Sequence, residues 1–116
     1  MEKKIFNCKK EELFLSAITI AELEYGVSKS QCREKNRRAL LDFCADFTNI
    51  IDFSAEDTET YGMIRAYLEN KGIPIGPFDT QIAAQALARN LTVVTNNIRE
   101  FSRIPGLKVE DWTKEL

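Results

Sequence analysis

Three carboxylates and one amide in this sequence are placed as metal ligands or proton-handling groups could be. Glu22 lies in TIAELEYG, Asp79 in GPFDTQIAAQA, and Asn97 and Glu100 in TNNIREF. Each falls at the start of a predicted helix, and each has a local explanation. Thr19-x-x-Glu22 is a capping box, with the Glu22 carboxylate reaching back to the Thr19 N–H. Asp79, two residues after Pro77, suits the positive end of a helix dipole. Asn97-x-x-Glu100 repeats the capping pattern. The alternative explanation is chemical. In parallel α/β sheets, sites collect beyond the carboxyl ends of the strands, where the next helices begin. Carboxylates gathered there repel unless a cation sits among them. A hard ion such as Mg²⁺ takes oxygen ligands, acidifies water and stabilises a charged phosphoryl transition state.

Composition narrows the chemistry. The chain has 116 residues, with no histidine. Ser–His and Cys–His nucleophiles, a histidine general base and imidazole zinc sites are therefore excluded. An apolar fraction of 44% with 29% charged residues is ordinary globular composition, and the length suits one domain over residues 1–116. Cys8, Cys32 and Cys44 form no CxxC pair, so neither a zinc knuckle nor a disulfide framework is expected; Cys44 reads as a buried small hydrophobe. With no signal-like apolar start and no run near the ~20 residues of a membrane span, the expected location is the cytoplasm, away from membranes. Against a net charge of −2, Lys29, Arg33, Lys35, Arg37 and Arg38 make a local basic cluster. It reads either as a solvated helix face or as a guide for an RNA phosphate backbone.

The elements that must position these groups follow from periodicity and punctuation. Residues 13–18 read as a strand, and 19–27 as a helix opening at Thr19 and broken near Gly26. A longer helix spans 31–47 with Leu40, Cys44 and Phe47 on one stripe, and a second strand spans 48–53. Ser54 caps a helix over 55–71 that carries Tyr61, Ile64 and Leu68 on one face and ends at Gly72. After the IPIGP loop, Pro77 opens a helix with Ile82, Ala83, Ala86 and Leu87 on its packing face. Residues 91–95 (LTVVT) fit a strand buried on both faces, followed by a helical turn at 97–101 and a last strand near 107–110. The alternation predicts an α/β fold with a largely parallel sheet flanked by helices.

The segments SAITIAELEYG, GIPIGPFDTQIAAQA and LTVVTNNIREFSRIPGLKVEDW, in that order, resemble the PIN-domain ribonucleases, specifically the VapC-type toxins of type II toxin–antitoxin systems. The resemblance runs from about residue 11 to residue 113. It implies a metal-dependent endoribonuclease that cuts RNA, tRNA in this branch, at the carboxyl edge of a parallel sheet. Glu22 and Asp79 match two acids that hold Mg²⁺ or Mn²⁺. Asn97 matches a position that is often Asp, and Glu100 a further common acid. A VapB-type antitoxin and homodimer formation are implied as well. Tyr61, Tyr67 and Phe78 are candidates for such surfaces, or for the core.

The front of the chain departs from the pattern. Family members begin with a hydrophobic strand, central in the sheet, that ends in an Asp-Thr-Asn motif, and nothing like it precedes SAITIAELEYG. MEKKIFNCKKEE reads instead as the end of the helix after that strand. The resemblance thus implies a fold truncated by its first central strand and first metal-binding aspartate, with little or no activity expected of the 116 residues alone. The competing reading is a non-catalytic PIN remnant that binds antitoxin or toxin. A phosphate-accepting receiver is a distant third, since TNNIREF supplies no lysine after the late strand.

Overall fold

A computed structural model of the chain describes residues 14–47, 49–95 and 97–110. Cys8, Leu13, Thr48 and the residues beyond Glu110 lie outside the described residues, as does the MEKKIFNCKKEE segment. The described residues fall into two compact units, one within Cys8–Asp52 and one within Phe53–Leu116. None of their helices is long and apolar enough to cross a membrane.

The first unit runs β1 (Phe14–Ser16), α1 (Ala17–Lys29), α2 (Arg33–Ala45) and β2 (Asn49–Ile51). β1 and β2 pair in parallel, with Leu15 opposite Ile50, and the two helices form the crossover between them. The first helix starts earlier than the Thr19 capping box predicts. Ser16 ends the strand in extended conformation, and its hydroxyl accepts from the Ile18 N–H at 3.1 Å. Serine is a strong N-cap, so it starts the helix before Thr19 is reached. Glu22 is consequently well inside α1 and caps nothing. Gly26 does not break the helix either; its cost of about 1 kcal/mol is absorbed, and α1 continues to Lys29, where Ser30 closes it on the Val27 carbonyl. In α2, Leu40 is buried as expected, whereas Cys44 is only half-buried. Phe43 and Phe47 meet edge to face at 5.1 Å.

The second unit runs α3 (Ala55–Asn70), α4 (Pro77–Ala88), β3 (Thr92–Val94), α5 (Ile98–Phe101) and β4 (Lys108–Glu110). Its core joins Ile64 and Leu68 of α3, Ala83, Ala84 and Ala86 of α4, Val93 of β3, and Phe101 and Ile104. The alanines let α3 approach α4 closely. Both long helices end alike: Ile73 N–H bonds to the Leu68 carbonyl around Gly72 at φ +73°, and Leu91 N–H bonds to the Ala86 carbonyl around Asn90 at φ +57°. These are Schellman closures, with glycine in one and asparagine in the other at the left-handed position. β3 and β4 pair in parallel, Val93 opposite Val109. The expectation that β3 is buried on both faces fails. Val93 is buried while Thr92 and Val94 are exposed, because among the described residues this two-stranded pair is covered by core on one side only.

A buried ion pair ties the long helices together. Asp57, fully buried in the first turn of α3, accepts the Ser54 N–H at 2.9 Å and an N–H of the Arg89 guanidinium. Arg89, just past the end of α4, also donates to the Gln85 carbonyl at 3.2 Å and to Glu56 at 2.7 Å. Burial pushes the Asp57 carboxyl up, but the Arg89 and Ser54 hydrogen bonds and the Arg89 charge outweigh it, and the group titrates below the ordinary carboxylate range. Its stabilising contribution is therefore complete above that range and is lost as pH falls through the lowered value. Replacing Arg89 with Met leaves the carboxylate buried and uncompensated, with an expected loss of about 3 kcal/mol at pH 7. Urea melts at pH 7 and pH 4 should show the deficit narrowing in acid, where Asp57 can take a proton; an equal deficit at both pH values would contradict the assignment.

Candidate active site

The sharp N-terminus of α4 sets the position of Asp79. Pro77 occupies the first helical position, where it lacks no needed N–H. Thr80 is buried, and both its N–H and its hydroxyl donate to the Gly76 carbonyl, at 2.9 Å and 2.8 Å. Asp79, held between these anchors, is half-buried in the first helical turn.

Asn97 arrives from the carboxyl end of β3. Its backbone N–H donates to Thr95 Oγ1 at 2.9 Å, and its side-chain Nδ2 faces Asp79 Oδ2 at 3.5 Å, the outer limit of a hydrogen bond. The capping role read for Asn97 is thereby corrected: it precedes α5, but its side chain makes no cap bond. α5 is a single turn of four residues, and the Asn97 amide is directed to the carboxylate instead. Glu100 lies in that turn, half-buried. Two of the sequence-derived residues, Asp79 and Asn97, are thus brought together across 18 positions of chain. A neutral amide beside the carboxylate adds no like charge to it. Thr95, which orients Asn97 by accepting its N–H, was not singled out in the sequence; its signal is a hydroxyl residue at the strand's carboxyl end, two before the amide.

Glu22 belongs to the other unit, exposed on α1. The basic residues lie there too. Arg37 pairs with Glu24 at 2.6 Å, joining α2 to α1, and Lys29 sits over the Tyr25 ring at 4.9 Å. Arg33, Lys35 and Arg38 are exposed. A shallow depression of about 400 Å³ is lined by Lys35 and Arg38 together with Glu34 and Asp42, so the basic cluster is interleaved with acids.

Asp79 and the Asn97 amide oxygen are hard donors of the type Mg²⁺ accepts, and this ion is commonly held by one or two carboxylates with water and phosphate completing its shell. The donor set therefore suits such an ion. Among the described residues no three His, Cys, Asp or Glu side chains converge as metal ligands.

The family model for the PIN domain matches residues 2–107. Ribonuclease VapC2 of Rickettsia felis is 50% identical over 106 residues, covering 91% of this chain and 78% of that protein. The tRNA(fMet)-specific endonuclease VapC of Salmonella typhimurium is 43% identical over 107 residues, covering 92% of this chain and 80% of the relative. The DNA-bound VapBC structure from Salmonella typhimurium superposes with a TM-score of 0.88 at 41% identity, over 96% of this chain and 83% of that one. The resemblance carried by the three sequence motifs is therefore a relationship over nearly the whole chain, and this chain belongs to the PIN-domain family.

Proposed function

We propose that this chain is the toxin of a VapBC-type toxin–antitoxin pair, an endoribonuclease acting on RNA phosphodiester bonds. The observation that carries this reading is the meeting of Asp79 and Asn97 at the carboxyl end of β3, in a chain 50% identical to a VapC ribonuclease. The tRNA(fMet) specificity of the Salmonella relative supports tRNA as the substrate class. The solved VapBC complexes support an antitoxin as the binding partner. The cytoplasm is the expected place of action.

The chain's own groups divide the work. Asp79, fixed by Pro77 and Thr80, is the principal metal ligand. Asn97 orients the Asp79 carboxylate and offers an amide oxygen, and Glu100 supports the same edge. When bound, Mg²⁺ or Mn²⁺ supplies positive charge at the scissile phosphate and lowers the pKa of water. Lys29, Arg33, Lys35, Arg37 and Arg38 steer the phosphate backbone of the substrate.

One observation favours a second reading, a non-catalytic module that only binds its partner: among the described residues no three acids converge at the site. Cleavage assays separate the two. In Mg²⁺ a form carrying the family's first strand and its aspartate should cut RNA, EDTA should stop it, and the 116 residues alone should cut little or none. Asp79→Asn should lower the rate by roughly 10²-fold or more, as loss of a group stabilising transition-state charge does, with an unchanged circular dichroism spectrum. Undiminished cleavage by Asp79→Asn would sink the metal-site assignment, and antitoxin binding without any cleavage would favour the second reading. For the basic cluster, Arg37→Ala with Arg38→Ala should flatten the salt dependence of RNA affinity, by about 0.7 in log–log slope for each phosphate contact removed. An unaltered slope would leave the cluster as a solvated face.

A further inference from the structure

Resting on the reading of RNA as the ligand, we infer that Phe78 is a stacking platform for an unpaired base of the substrate, set beside Asp79. The two residues share the first turn of α4, whose backbone is fixed by Pro77 on one side and by the buried Thr80 on the other. The apolar residues around this turn have divided fates. Ile75 and Ile82 pack against the core, whereas Phe78 stays 50% exposed. Among the other exposed aromatics, Lys29 lies over Tyr25, Lys71 over Tyr67 and Phe47 against Phe43, while Phe14 belongs to the first unit. Among the described residues Phe78 faces neither a second ring nor a cation.

A nuclease that cuts unpaired RNA must hold the strand with its bases splayed and its backbone at the catalytic acid. Aromatic rings do this because every base has a π-face, whatever its identity. Phe78 and Asp79 share one turn but project from it in different directions, so a base on the ring would lie beside the site rather than on the phosphate that Asp79 addresses. Stacking of this kind tolerates many sequences and favours purines, whose larger rings overlap more. Phe78 would thus set affinity and base preference beside the cleavage point without touching the reacting atoms.

The test is the affinity of the 116-residue chain for fluorescein-labelled oligoribonucleotides, one adenine-rich and one uridine-rich, measured by anisotropy in EDTA so that nothing is cleaved. Phe78→Ala and Phe78→Leu should weaken binding by about 5- to 100-fold, the range that loss of one base stack produces. Phe78→Tyr and Phe78→Trp should stay within about threefold of wild type, and the losses should be larger for the adenine-rich strand. Met63→Ala, which removes another exposed apolar side chain, on α3, should change nothing. Thermal melts check folding, and the leucine variant decides if the alanine variant is unstable. Wild-type affinity in Phe78→Leu would show that bulk rather than a ring is needed and would overturn the proposal. So would unchanged RNA affinity in Phe78→Ala with binding to the antitoxin impaired, which would make the ring a protein contact. If a form carrying the family's first strand and aspartate cleaves RNA in Mg²⁺ while the Phe78 series binds uniformly, this inference alone falls. If binding follows the Phe78 series but a form carrying the family's first strand and aspartate cleaves nothing, the catalytic reading falls and the platform stands. If wild type binds no RNA, both fall.

Discussion

The pairing of Asp57 with Arg89 governs how the second unit is built. A carboxylate with no exposure to water is tolerable only with its lone pairs occupied and its charge matched, and Arg89 with the Ser54 N–H meets both needs. The consequence is geometric. Asp57 is in the first turn of α3 and Arg89 follows the last turn of α4, so the pair fixes the two helices antiparallel, start against end. With that end pinned and the alanine face of α4 laid on Ile64 and Leu68, the opposite end of α4 is delivered to a defined place. That opposite end carries Asp79.

The site therefore inherits its order from packing some way off. Asp79 is held by the chemistry of its own turn, Pro77 and Thr80, and by the helix behind it. Asn97 reaches it from β3, whose Val93 is embedded in the same core. A parallel strand and a following helix start bring polar groups to one edge. This arrangement needs no histidine, and a cation accepting hard oxygen donors suits it.

Much of this was legible in the sequence wherever local chemistry decides the outcome. Ser54, Gly72 and Pro77 punctuate α3 and α4 as their side chains and backbone freedom require. Asp79 and Asn97 stood out from their motifs, and the fold brings the two side chains together. What was not legible depended on competition or on distance. Ser16 and Thr19 are both good caps three residues apart, and only the end of the strand selects Ser16. Arg89 meets Asp57 from 32 positions away, which no local pattern encodes. Whether LTVVT is buried on one face or two depends on how many neighbours the strand has, and the apolar run is the same in both cases.

The two halves of the Asp79–Asn97 contact are supported unequally. α4 is twelve residues long and carries its own closures at both ends. α5 has four residues, a single turn, and an isolated turn of helix does not repay its own nucleation. Its stability is borrowed from Phe101 and Ile104, each only 3% exposed. Partial melting would begin on the Asn97 side, by release of Phe101, while α3 and α4 remained zipped by Arg89. The Asn97 side of the contact thus depends on two core side chains, and a small change at Phe101 would loosen it before it reached the Asp79 turn.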